Sequence, residues 1–237
     1  MIGLSRGRVY RSGFITVFLA SVCVIWASCE ARASFDIKQD SFAISNAPGY
    51  CFAMTCFSRW YYLNRQSEPP LRKVMNKRAQ QRVARELQEF YSKHLIKIQA
   101  DYCNRYQGNK LESFNRFVSG LSAGEPRIVL LMNKGARGAV LHAVLAYRWL
   151  PEQKLLKVYD PNYNCEERFI DLERGDYTSL DITYHSICFP EVLQDHESLV
   201  RKMQDLYTTC VIRTPANAGP VANPQFRKAA ASGRQPE

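Results

Sequence analysis

The sequence predicts an α+β fold in which a helical half comes first and an antiparallel sheet follows. Two observations carry that prediction. Between residues 52 and 121 apolar side chains recur at helical spacing, whereas beyond residue 127 they gather into short β-rich runs separated by turns. Gly120, Gly124 and Pro126 punctuate the change. A chain of 237 residues with a 46% apolar share can build one sizeable core with appendages at its ends.

Residues 1–33 read as a secretory signal. Arg6, Arg8 and Arg11 precede an uncharged apolar run, Gly13–Trp26, and Ala31-Arg32-Ala33 gives a small-x-small cleavage pattern. A spanning helix needs about 20 apolar residues, so the run is short for a permanent anchor. Cleavage near Ala33 implies an exported protein, periplasmic or secreted. Removing four basic residues and one acidic one lowers the net charge from +10 to +7. The basic residues are scattered and lack a stacking aromatic face, which argues against nucleic acid and for an acidic or membrane-associated partner.

Residues 34–212 form the expected folded domain. Phe52–Leu63 is a helix with apolar residues on most sides, hence a buried central one. Pro69 and Pro70 end it. Asn76–Asn104 has the pattern of one long amphipathic helix, with Val83, Leu87, Phe90, Tyr91, Leu95, Ile98 and Tyr102 on one stripe. Leu111–Leu121 is a shorter one. Strands are predicted at Arg127–Met132, Ala139–Trp149, Lys154–Tyr159, Glu167–Leu172 and Leu180–Cys188, with Pro151-Glu152-Gln153 at a hairpin tip. Glu191–Tyr207 returns to helix. Residues 213–237 are rich in Ala, Pro, Asn and Gly and are expected to be a disordered tail.

The chemistry centres on Asn46-Ala47-Pro48-Gly49-Tyr50-Cys51. A turn at Pro48-Gly49 delivers Cys51 to the start of the central helix, where unpaired N–H groups and the helix dipole favour a thiolate. A nucleophile also needs a base. His142 lies on the Ala139–Trp149 strand and by alternation shares a face with Val140, Val144 and Ala146. A histidine on an apolar strand is commonly a core residue, and Asp160 before Pro161 is a natural turn former. The hairpin, however, brings Asp160 towards His142, and a carboxylate beside an imidazole fixes its tautomer.

These segments resemble papain-like cysteine peptidases. Gly49-Tyr50-Cys51-Phe52-Ala53-Met54 is similar to the nucleophile helix of that family. His142-Ala143-Val144-Leu145-Ala146-Tyr147 with Tyr159-Asp160-Pro161-Asn162-Tyr163 is closest to the YopT/AvrPphB type of bacterial effector peptidases. The resemblance spans about residues 43–169. It implies a papain-like fold, Cys51 as nucleophile, His142 as base and acid, Asp160 as the orienter of His142, and Asn46, five residues before the cysteine, as an oxyanion donor. It also implies a protein or peptide substrate, a role in virulence, delivery to a host cell and no cofactor. Asn164-Cys165 stands where this type often has glycine.

Three functions follow from these residues: a thiol peptidase, a deamidase or transglutaminase using the same acyl chemistry, or a non-catalytic binding module. After Cys51, five cysteines remain past the signal, allowing up to two disulfides, and Cys56 reads as a small core residue. No His or Cys spacing suggests a metal site.

Overall fold

The computed structural model describes residues 34–46, 49–105, 110–135 and 138–212. The expected signal segment 1–33, Ala47 and Pro48 of the turn, and the expected tail 213–237 lie outside them. Helices come first and an antiparallel sheet follows, as the periodicities predict. In chain order the elements are α1 (Ile37–Asp40), α2 (Cys51–Asn64), α3 (Leu71–Val74), α4 (Lys77–His94), α5 (Ile96–Arg105) and α6 (Lys110–Ser122), then β1 (Arg127–Gly135), β2 (Gly138–Leu150), β3 (Leu155–Tyr159), β4 (Glu167–Asp171), β5 (Tyr177–Ser179), β6 (Ile182–Tyr184) and β7 (Ser186–Cys188), and finally α7 (Glu191–Gln194) and α8 (Glu197–Tyr207).

Five strands make one antiparallel sheet in the order β4-β3-β2-β1-β7, and β5 pairs with β6 as a separate hairpin. Both faces of the large sheet are covered, so its central strands are apolar on both sides. Ile128, Leu130, Ala143 and Leu145 join the core built around α2, α4 and α8. Their neighbours Val129, Leu131, Val144 and Ala146 join a second core with Phe117 of α6 and with Tyr177 and Tyr184 of the β5–β6 hairpin.

Helix α2 is buried from Cys51 to Tyr62, as its all-round apolar character requires. Its one cation inside, Arg59, is answered by neighbours. Nε donates to the Pro126 carbonyl at 2.9 Å, and Nη1 donates to the Gln194 carbonyl at 3.3 Å and to Asp195 Oδ1 at 2.9 Å. A buried guanidinium is tolerated only when so paired. Arg59 thereby ties α2 to the start of β1 and to α7.

Three predicted elements are divided. The long helix over Asn76–Asn104 breaks at Leu95 into α4 and α5. The break rotates the second half, so Ile98 is 39% exposed while Gln99 is buried and accepts a hydrogen bond from Tyr91 Oη. No proline or glycine marks the site; the turn is imposed by tertiary contacts. The predicted strand Leu180–Cys188 is instead a hairpin tip, β6 and β7. Its two-residue loop starts at Leu180 with φ +53°, a conformation that sequence signals assign to Gly or Asn. The predicted helix Glu191–Tyr207 is interrupted at Asp195 and His196, where Asp195 turns out to meet Arg59.

One disulfide, Cys103–Cys188, joins α5 to the edge strand β7, where the sequence allowed two. Cys51, Cys56, Cys165 and Cys210 are free thiols. The bridge closes a long loop, 85 residues apart in sequence, and restricts the unfolded chain accordingly. Replacing Cys103 and Cys188 together by serine is expected to lower unfolding free energy by about 2–5 kcal/mol, measured by urea denaturation. A change below the error of that measurement would show that the bridge contributes no constraint.

Candidate functional site

Gly49 closes a tight turn, its N–H donating to the Asn46 carbonyl at 2.7 Å with φ at +83°. The next residue but one, Cys51, opens α2. Tyr50, at the cap position, gives no side-chain hydrogen bond to the helix end. Gln88 of α4 answers part of it instead, its Oε1 accepting from the Ala53 N–H at 3.2 Å. That bond also fixes the amide's orientation and leaves its NH2 group as a donor.

His142 and Asp160 approach from the sheet. β2 and β3 pair with Leu145 opposite Tyr159, so Asp160 falls beside the stretch of β2 that carries His142. The imidazole is 3% exposed and the carboxylate fully buried. His142 Nε2 lies 2.7 Å from Asp160 Oδ1. A carboxylate can only accept, so Nε2 carries the proton and Nδ1 is the nitrogen left for another partner. Cys51 lines the same cavity as this imidazole, and its thiol is one of the groups that raise the His142 pKa. Cys51, His142 and Asp160 are therefore brought together, with Asn46 on the same cavity wall.

Asp160 is held by four donors. Oδ1 accepts from His142 and from the Asn162 N–H at 2.9 Å; Oδ2 accepts from Tyr177 Oη at 2.8 Å and Ser179 Oγ at 2.7 Å. Burial pushes its pKa up, but these bonds, that of His142 foremost, outweigh it and hold the carboxyl below the usual range. For His142, burial works against the cation; the hydrogen bond to Asp160, then the Cys51 thiol, reverses this and raises the pKa to about 9.

The hydrogen bonds run one way outward from the carboxylate. Ser179 donates to Asp160 and so accepts from Asn162 Nδ2 at 2.8 Å. This turns Asn162 Oδ1 towards Asn46, whose Nδ2 donates to it at 2.6 Å. The chain pins the Asn46 amide with its NH2 towards the site and one N–H already committed. Its Oδ1 is buried without a partner, which shows how strongly the other end is held.

The cavity beside Cys51 has a volume of about 420 Å³ and is walled by Phe52, Gln88, Leu141, Leu180, Ile182 and Tyr184 among others. Tyr184 stacks on the imidazole at 5.7 Å between centroids. Cys56 lies further along α2, where burial pushes its thiol far up and keeps it protonated. Tyr177, Ser179, Tyr184 and Gln88 were not singled out from the sequence. The first three sit in the hairpin whose turn lacks a glycine signature, and Gln88 occupies what reads as a polar position of an amphipathic helix. At Cys165 φ is +66°, the conformation glycine prefers, and Arg72 Nη1 donates to its Sγ at 2.7 Å.

Among the described residues no group of His, Cys, Asp and Glu is placed to hold a metal ion, and no helix is long and apolar enough to cross a membrane. No family model, curated protein or solved structure matches the chain.

Because its folded pKa of about 9 exceeds the ordinary value, protonated His142 contributes stability in full below about pH 6.5, and that contribution is lost as pH rises through about 9. Asp160, depressed, contributes above the ordinary carboxylate range and loses that contribution as pH falls through its folded pKa. Asp160→Asn should lower the His142 pKa by at least about one unit, followed by NMR titration of the imidazole. An unchanged value would show that the carboxylate does not set it.

Proposed function

We propose that the chain is an exported thiol peptidase of papain-like architecture, related in type to the YopT/AvrPphB effector peptidases. The observation that carries this reading is the buried His142 Nε2–Asp160 Oδ1 pair at 2.7 Å, with Cys51 at the head of α2 on the wall of the same cavity. Proton transfer from Cys51 to Nδ1 gives a thiolate–imidazolium pair, which the buried Asp160 stabilises from the far side. The thiolate attacks a peptide carbonyl, the imidazolium protonates the departing amine, and water then releases the acyl group with His142 as base.

The developing oxyanion needs donors. The Cys51 backbone N–H at the helix end is one, in keeping with the dipole. The free N–H of Asn46 and the NH2 of Gln88 both belong to the cavity that holds Cys51. Asn46 is the donor that the resemblance implies; Gln88 is the one that the Ala53 bond orients. The site is buried and partly apolar, which strengthens each such bond relative to water. The basic surface favours encounter with an acidic or membrane-bound protein substrate, and the apolar N-terminal segment favours export before encounter.

Cys51→Ala should abolish turnover of a protein substrate and labelling by a thiol-directed peptidase probe, while Cys56→Ala leaves labelling intact, read by intact-mass spectrometry. Labelling that persists without Cys51 would sink the assignment. Among acyl-transfer outcomes, a cut substrate supports hydrolysis, whereas conversion of a glutamine amide to an acid, or a new cross-link, would replace the peptidase reading. The rate against pH should fall above about 9, where the imidazolium loses the proton it must donate. Loss of one oxyanion donor, in Gln88→Leu or Asn46→Leu, should cost about 10²–10³ in kcat. A variant with undiminished kcat removes that residue from the oxyanion site.

A further inference from the structure

A second cavity, larger than the first, shares no lining residue with it. Its volume is about 710 Å³, within the range of small-molecule sites, about 300–1,000 Å³. It lies between α5, α6 and the β7 end of the sheet, with the Cys103–Cys188 bridge in its wall. Phe114, Trp149, Leu172, Ile187 and Phe189 are only half-buried and turn their remaining surface into it. Phe114 packs edge-on against Trp149 at 5.6 Å and against Phe189 at 5.7 Å, giving a rigid aromatic wall.

Inside this apolar wall sits a polar group with nothing to bond. Ser113 is 5% exposed, lines the cavity, and its Oγ has no hydrogen-bond partner. The hydroxyl is itself closed to solvent, so it belongs to the wall and makes no bond to an occupant. At the mouth, the lining residues include the exposed Lys154 and His185 and, among the described residues, no aspartate or glutamate. Lys154 pairs with Glu173. Both members of that pair are well exposed, so a second carboxylate can compete for the ammonium at small cost.

We propose that this cavity binds an amphipathic monocarboxylate of the fatty-acid class. The hydrocarbon body fills the space along Phe114, Trp149, Ile187 and Phe189. The carboxylate is taken by Lys154 and His185 at the mouth. The proposal does not depend on any activity at Cys51. Apolar area removed from water supplies the affinity, and the ammonium of Lys154 at the mouth sets the sign of the head group.

Trp149 supplies the readout. Titration of the full chain with a dibrominated stearate should quench its fluorescence saturably in the micromolar range. Trp149→Phe should remove most of the quenching, whereas Trp60→Phe, which alters the other core, should not. Lys154→Glu is expected to weaken binding about tenfold, the change for one reversed charge. Ile187→Trp fills the cavity and should abolish saturable quenching; Leu172→Trp is the second filling variant, and circular dichroism confirms that each is folded. Absent or non-saturable quenching, or unchanged affinity in a folded cavity-filling variant, overturns the site. The corresponding dibrominated alcohol binding as tightly as the acid overturns the carboxylate assignment.

Discussion

A carboxylate with no access to water governs this structure. Removing Asp160 from solvent is costly, and the cost is met only because four donors converge on its two oxygens. The donors come from three pieces of chain: the second strand, the turn after the third, and strand β5, which supplies two. Satisfying one charge therefore fixes the relative placement of three segments. It also dictates the tautomer of His142, since a carboxylate without a proton forces Nε2 to donate. The nitrogen that remains is free to serve Cys51, which lines the same cavity. The polarity of the site follows from that single burial.

The thiol arrives by a different constraint. Helix α2 is apolar all round and cannot lie on a surface, so it runs through the core against the large sheet. A helix buried along its length still has an N-terminus with unmet donors. Here that end opens on a cavity, and Gln88 supplies an acceptor to one of the amides. At the same helix, Arg59 uses the carbonyls of Pro126 and Gln194 to hold the middle of α2 in register with the sheet. A shift of α2 along its axis would break those bonds, so Arg59 helps to fix where the head of α2 meets the sheet.

The sequence was informative where a local pattern and the global fold agree. The apolar character of residues 52–63 on most faces, the side-chain alternation along residues 139–149 and the turn before Cys51 are each the direct imprint of burial or backbone geometry. They suffice to place Cys51, His142 and Asp160 on the elements where they are found. It was uninformative where tertiary contact overrides local preference. Leu95 breaks a helix without a breaker, because Gln99 answers Tyr91 and Cys103 reaches Cys188 only if α5 turns. Leu180 adopts a left-handed turn that no leucine advertises. Its N–H is held at 2.6 Å by the Tyr163 hydroxyl, a partner 17 positions away. The residues missed at the site are those whose role is to satisfy another residue: Tyr177, Ser179 and Gln88 carry no reactive group, so no chemical signature announces them.

The least legible segment is also the one that joins the two cavities. From Tyr177 to Phe189 the chain first supplies two donors to Asp160, then lines the thiol cavity with Leu180 and Ile182, then stacks Tyr184 on the imidazole. Its next residues, His185 to Phe189, wall the larger cavity and end in the disulfide. A non-glycine residue at positive φ is costly and persists only where its surroundings over-determine it. Leu180 is over-determined by Tyr163 on one side and by the Asp160 bonds of Ser179 on the other. Strain, support for the buried charge and both cavity walls are thus carried by thirteen consecutive residues, most of them in the three short strands β5, β6 and β7. Close packing transmits displacement along such a segment. Whatever occupies the larger cavity bears on the same stretch of backbone that holds Tyr184 against His142.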